Sequence, residues 1–156
     1  MSDSDGWRDI GEICLCPAGK PAFPVVDPCP GLYRITLTDG RIYIGQTRDL
    51  RRRLSEYRHP TQGTEGEHIL CAELIEARGG HLAIRTGPQL AEGPARRAAE
   101  RAEIAAARAA GIELLNPGAG NGSRTILARI AYHERQLASL RQQLAKATAR
   151  NEPGDP

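Results

Sequence analysis

Apolar and polar positions along the chain fall into short runs, punctuated by glycine and proline, that predict a mixed α/β protein. Residues 1–30 hold a brief apolar patch (Ile10, Ile13, Leu15) and then five prolines between Pro17 and Pro30. That composition predicts an arm with little regular structure that wraps the domain edge. Residues 31–37 and 41–46 read as two strands around an Asp39-Gly40 turn. Asp49 is placed to cap a helix running to Arg58, with Leu50, Leu54 and Tyr57 as its inward stripe. A loop over Pro60, Gly63 and Gly66 leads to a second helix over residues 68–78, stopped by Gly79-Gly80. Residues 81–86 read as a third strand, and Gly93-Pro94 opens an Ala-rich helix that ends near Gly111. After a turn cluster at residues 116–122, Ser123 caps a last helix to about Arg150. The order is β-β-α-α-β-α plus a C-terminal helix, divided into an arm (1–30), a central domain (31–118) and a C-terminal helix with a disordered tail (119–156).

The hairpin holds two tyrosine tripeptides, Gly31-Leu32-Tyr33 and Tyr43-Ile44-Gly45, and its register decides what they do. A two-residue loop at Asp39-Gly40 sends the two phenols to opposite faces. A three-residue loop with Gly40 left-handed pairs Ile35 with Tyr43 and Tyr33 with Gly45, so both phenols share one face as diagonal neighbours. The second register is the expected one, with Gly45 leaving room for a ligand in front of Tyr33.

With 156 residues and 40% hydrophobic content, the chain suits one domain with appendages and a mostly aliphatic core. It has no long apolar run, and its acidic start lacks the features of a signal peptide, so a cytoplasmic protein without membrane contact is expected. Net charge is only +2, yet seven arginines fall between Gly31 and Pro60 against three acids. That clustering predicts a local positive face. Cys14, Cys16 and Cys29, with Cys71 or His81, could supply a zinc tetrahedron, but C-x-C followed by a lone Cys is not the usual zinc pattern. Free thiols are expected, and structural zinc is not.

The tripeptide pair, its spacing and the element order resemble the GIY-YIG nuclease superfamily from Gly31 to about Gly118. The resemblance implies a small three-stranded antiparallel sheet flanked by helices, and metal-dependent hydrolysis of a DNA phosphodiester at a single-metal site. Tyr33 and Tyr43 match the family's tyrosines, with Leu32 in place of the usual Ile. Arg53, ten residues past Tyr43, matches its helical arginine, and Arg53 also lies beside the inward stripe of its helix. Glu100, four residues before Ile104, is the preferred match to the metal-binding glutamate over Glu103, which is rotated about 100° from Ile104. The bland alternative for Glu100 is a surface salt bridge to Arg96 or Arg97. Asn116 resembles the family's last polar residue and is expected to order the site; a plain turn before Pro117 is the alternative.

Phosphodiester hydrolysis accumulates negative charge on phosphate oxygens, so positioning and electrostatic stabilisation dominate. A guanidinium offers fixed charge and forked donors, the role expected of Arg53. Mg²⁺ or Mn²⁺ held by Glu100 and waters is the implied cofactor. Tyr33 is expected as base or water-positioner, and Tyr43 as a hydrogen-bonding partner of water or phosphate. Arg48, Arg51, Arg52 and Arg58 are expected to contact the DNA backbone, with Arg52 also reaching Glu56. His59 and His68 are weaker candidates. In the last helix Ile126, Ile130, His133, Leu137, Leu140 and Leu144 alternate at four- and three-residue steps, a short a/d seam that could form a homodimer. A catalytically silent nucleic-acid-binding or partner-binding module on the same fold is the alternative function.

Overall fold

The computed structural model describes residues 6–58, 65–116 and 122–150. Its centre is the hairpin of β3 (Gly31–Leu37) and β4 (Ile42–Thr47). Tyr33 pairs with Gly45 and Ile35 with Tyr43, and the Leu37 amide donates to Arg41 O at 2.8 Å while Gly40 N–H returns to Leu37 O at 2.9 Å. This is the three-residue closure, with Gly40 at φ 91°, a conformation that glycine adopts without a Cβ clash. Asp39 fastens the turn by accepting the Arg41 amide at 3.1 Å and pairing with its guanidinium at 2.8 Å.

Helix α1 (Leu50–Glu56) begins where the Asp49 side chain accepts the Arg52 amide at 2.9 Å and ends at Tyr57, short of the expected Arg58. Helix α2 (Glu65–Glu76) begins before the expected His68. Arg78 at φ 60° and Gly79 at φ 118° then reverse the chain into β5 (Gly80–Thr86), beside β3. A single 3-10 turn (Pro88–Leu90) precedes α3 (Gly93–Ala109), with Pro in its first turn. Helix α4 (Gly122–Arg150) belongs to a second unit.

The sheet has five strands, not three. β1 (Arg8–Leu15) and β2 (Pro21–Ala22), from the segment expected to lack regular structure, extend it to the order β2-β1-β5-β3-β4, with antiparallel pairing throughout. The physical reason is edge coverage: β5 pairs with β3 on one side, and without β1 its other edge would expose a row of backbone donors and acceptors. A bulge between Asp9 and Gly11 interrupts the register, so Ile13 is buried and Ile10 packs against the same core despite their odd spacing.

Two hydrophobic clusters cover the sheet. The larger joins Tyr33, Ile35, Leu37, Leu82 and Ile84 to Leu50 and Leu54 of α1 and Leu70 and Leu74 of α2, and takes in Ile13, Phe23 and Val26 from the arm. Burying each of those three arm side chains contributes on the order of 1.5–3 kcal/mol. The smaller cluster joins Ile42 and Ile44 to Ile104 and Ala107 of α3 and to Leu114.

Candidate active site

The register that puts Tyr33 and Tyr43 on one face stacks their rings, with centroids 6.1 Å apart and planes inclined by 30°. Tyr33 is buried and Tyr43 half-buried. Gly45 leaves no room for a ligand in front of Tyr33, contrary to expectation, because the Tyr33 ring itself occupies that space. A Cβ on Gly45 would stand 2.3 Å from the Tyr33 Cζ and hydroxyl oxygen.

The Tyr33 hydroxyl lies 2.7 Å from the Tyr57 hydroxyl and accepts the Arg53 Nε–H at 3.3 Å. Arg53 also donates to Glu56 at 3.2 Å and lies over the Tyr57 ring, 5.2 Å from its centroid. Helical spacing explains the convergence, since Arg53 and Tyr57 are four apart and face Tyr33 together. Tyr57 was legible only as part of the inward stripe; nothing in that pattern marks its hydroxyl as a polar partner of Tyr33.

Burial, reinforced by Tyr43, pushes the Tyr33 phenol well above its ordinary value, and the opposing effects of Arg53 and the hydrogen bonds do not offset it. Tyr57 is likewise held above its ordinary value, first by burial and then by Tyr33 and Tyr43. Without a metal, both phenols therefore stay neutral at physiological pH. Burial pulls the Arg53 guanidinium down, but the Tyr33 and Tyr57 oxygens outweigh it, leaving Arg53 above its ordinary value and permanently charged.

Glu100, on α3, is half-buried. Burial raises its carboxyl, while Arg101, the Gln46 backbone and Arg53 partly offset that rise. Among the described residues no salt bridge engages Glu100. Arg96, one alternative partner for it, is buried and donates instead to Gln46 Oε1 at 3.3 Å, to Leu90 O at 3.0 Å and to Ala91 O. Glu103 is committed elsewhere: it takes the Arg85 guanidinium at 2.5 Å and the Trp7 indole N–H at 3.3 Å. A single desolvated carboxylate of this kind fits a hard divalent cation that keeps several waters. Among the described residues no three His, Cys, Asp or Glu side chains gather into a metal cage.

Asn116 is buried against β4, where its Oδ1 accepts the Ile44 amide at 3.0 Å and its Nδ2 donates to Ile44 O at 2.6 Å. The neighbouring backbone continues this edge, with Ile42 N–H donating to Glu113 O at 3.0 Å and Leu115 N–H to Ile42 O at 2.8 Å.

The surface arginines divide. Arg51 donates to Val26 O at 2.9 Å and Arg58 to Phe23 O at 2.6 Å, so both strap the N-terminal arm to α1. Contact with the DNA backbone was the expectation for both, and the arm's carbonyls are what it missed. Arg52 pairs with Glu56 at 3.7 Å, as expected, and Arg48 is exposed. His59 and the side chain of His68 lie outside the described residues. His81 binds Asp9 on β1. Cys71 is buried and donates its thiol to Tyr57 O at 2.9 Å, whereas Cys14 is exposed. A cleft of about 390 Å³ on the sheet, lined by Glu12, Cys14, Thr36, Arg78 and His81 among others, does not include Tyr33, Tyr43, Arg53, Glu100 or Asn116.

No helix among the described residues is long and apolar enough to cross a membrane. No curated protein and no solved structure matched the chain. The family model described as the GIY-YIG catalytic domain matches residues 29–82. That span holds Tyr33, Tyr43, Arg53 and Tyr57 and stops before Glu100 and Asn116, so these last two stand on geometry and resemblance. Through its hairpin, first two helices and the start of β5, the chain is similar to the GIY-YIG catalytic domain, a family whose members are generally nucleases.

Proposed function

We propose that the protein is a metal-dependent DNA endonuclease. The observation that carries this reading is the Arg53 guanidinium, hydrogen-bonded to Tyr33 at 3.3 Å and lying over the Tyr57 ring, within the segment that matches the GIY-YIG catalytic domain. A fixed cation held by two phenols suits a reaction that builds negative charge on phosphate oxygens. Glu100 would hold Mg²⁺ or Mn²⁺, and that ion, when bound, supplies Lewis-acid stabilisation of the phosphate and the departing oxygen.

The chain's own residues do the rest. Arg53 faces the phosphate with charge that does not titrate, its orientation fixed by Tyr33, Tyr57 and Glu56. Tyr33 works as a neutral anchor for Arg53, in place of the expected role as base or water-positioner. Tyr43, stacked on Tyr33 and half-buried, is the phenol placed to hydrogen-bond water or phosphate. Asn116 holds Ile44, and with it the strand that carries Tyr43. Arg48 and Arg52 remain suited to backbone phosphates, which predicts binding that weakens as salt rises. Conversion of supercoiled plasmid to nicked or linear DNA with Mg²⁺, and none with EDTA, is the expected result. Salt-sensitive binding without cleavage in any divalent metal would favour the silent binding module.

The partner reading extends to α4. Ile130, Leu137, Leu140 and Leu144 are all exposed along it, and we propose that they form a homodimer seam.

A further inference from the structure

The arm that precedes the matched segment reaches the site at Phe23. Phe23 is 4% exposed and stacks on Tyr57, with ring centroids 5.8 Å apart and planes inclined by 29°. Tyr57 in turn meets Tyr33 edge to face, with centroids 6.1 Å apart, and its hydroxyl lies 2.7 Å from that of Tyr33. Tyr57 is therefore held on one side by the arm, on another by Tyr33, and at its backbone by the Cys71 thiol. The arm is fixed at this point, since Arg58 donates to Phe23 O at 2.6 Å and Arg51 to Val26 O at 2.9 Å.

We infer that Phe23 is a positioning residue: by packing on Tyr57 it holds that hydroxyl against Tyr33 and so sets the orientation of Tyr33 and Arg53. The geometry explains why such a wedge is needed. Tyr57 is the C-cap residue of α1, and helix ends fray unless something outside the helix fixes them. A phenol at a fraying end cannot keep a hydrogen bond to a partner on a strand, whereas one stacked against an anchored ring can. Phe23 precedes the family match, which begins at residue 29, so this contact is a property of the chain's own arm. The kinetic part of the inference rests on the nuclease reading above; the structural part does not.

The test uses the full chain carrying tyrosine labelled with ¹³C at Cζ, whose shift reports the hydrogen bonding of each phenol directly. The chain has four tyrosines, and single Tyr→Phe replacements assign their signals. Phe23→Leu keeps an apolar filler but removes the ring face. The expected result is a moved Cζ signal for both Tyr57 and Tyr33, with Mg²⁺-dependent nicking slowed in kcat by roughly 10–100-fold and KM little changed. A Tyr57 signal that moves while Tyr33 stays fixed, or a folded Phe23→Leu protein with unchanged kcat, would overturn the inference and leave Phe23 as core filler. If Phe23→Leu does not fold, Arg58→Gln loosens the same segment while keeping the ring, and the same two signals decide. Should the unmodified protein cleave no DNA under any metal, the nuclease reading falls alone, and the Tyr33 signal still decides the relay.

Discussion

The Asn116 carboxamide closes both backbone groups of Ile44, accepting its N–H at 3.0 Å and donating to its C=O at 2.6 Å. A side-chain amide thereby stands in for a strand residue on the outer edge of β4, where no further full strand pairs. Asn116→Ala would leave a buried donor and acceptor unmatched, at an expected cost of about 1–3 kcal/mol in chemical denaturation. Asn116→Asp keeps the shape but removes the donor and adds a buried charge, so it should be the less stable of the two at neutral pH. The comparison separates this clamp from a plain turn-forming Asn, for which Asp would substitute well and Ala poorly.

Gly45 carries the second prediction. Its missing Cβ admits the Tyr33 ring, and an added methyl would stand 2.3 Å from the ring's Cζ and hydroxyl oxygen. Gly45→Ala must push Tyr33 off Arg53 and Tyr57, with an expected loss of about 1–3 kcal/mol and of most nicking activity. Gly40→Ala is the control for strain without crowding: nothing stands within 4 Å of its added Cβ, but its φ of 91° disfavours a side chain. It should cost stability while leaving the phenols in place, as ¹³C signals of the tyrosines would report.

The hairpin was legible because the tyrosine spacing and the Asp39-Gly40 turn admit few registers, and both phenols share a face in only one of the two weighed. Helices α1 and α3 were legible through Asp49 and Gly93-Pro94, local signals that act within one turn. β1 was hidden for a local reason too. The bulge at Gly11 lets Ile10 and Ile13, three apart, pack on one core, which erases the alternation that marks a strand. At the site, Tyr33, Tyr43 and Arg53 could be named from the resemblance, but the Tyr57 hydroxyl and the arm straps at Arg51 and Arg58 could not. Those contacts join residues 20 or more apart, and sequence periodicity carries no information at that separation.

Arg53→Lys keeps the positive charge and removes the fork. Lysine has no equivalent of the Nε–H that reaches Tyr33, nor a planar group to lie over Tyr57. The expected outcome is a fall in kcat of roughly 10²–10³ with little change in KM. The melting temperature should stay near that of the unmodified protein, because the residue is half-buried and its Glu56 pair is partly exposed. An alkaline limb in the pH profile, if measured, should persist in this variant, since Arg53 does not titrate in the accessible range.

Glu100 links pH, metal and stability. Burial raises its folded carboxyl above the unfolded value, so in the window between the two the folded state binds more protons. Its contribution therefore improves as pH falls through that window, and above it the ionised group costs stability. Glu100→Gln should raise the melting temperature at neutral pH in metal-free buffer while abolishing nicking. It should also abolish any rise in melting temperature that Mg²⁺ produces in the unmodified protein. For that protein at limiting Mg²⁺, activity should fall on the acid side at a pH above the range of an ordinary exposed glutamate. A melting temperature that drops in Glu100→Gln would show that the carboxylate has a structural partner instead.

The α4 seam makes the last prediction. Exposure rises along it from 48% at Ile130 and 50% at Leu137 to 58% at Leu140 and 67% at Leu144, a stripe that a lone helix has no reason to keep in water. Four- and three-residue steps along one face suit a partner helix of the same kind. Sedimentation should find the full chain as a dimer and a chain ending at Gly122 as a monomer. Leu137→Asp with Leu144→Asp should give the same monomer without removing the helix, because each charge would face its own copy across the seam. Two-fold pairing would present two sites to opposite strands, so the monomeric variants should nick plasmid but linearise it slowly. A monomeric full chain at all concentrations would end the dimer proposal and leave the single-site reading untouched.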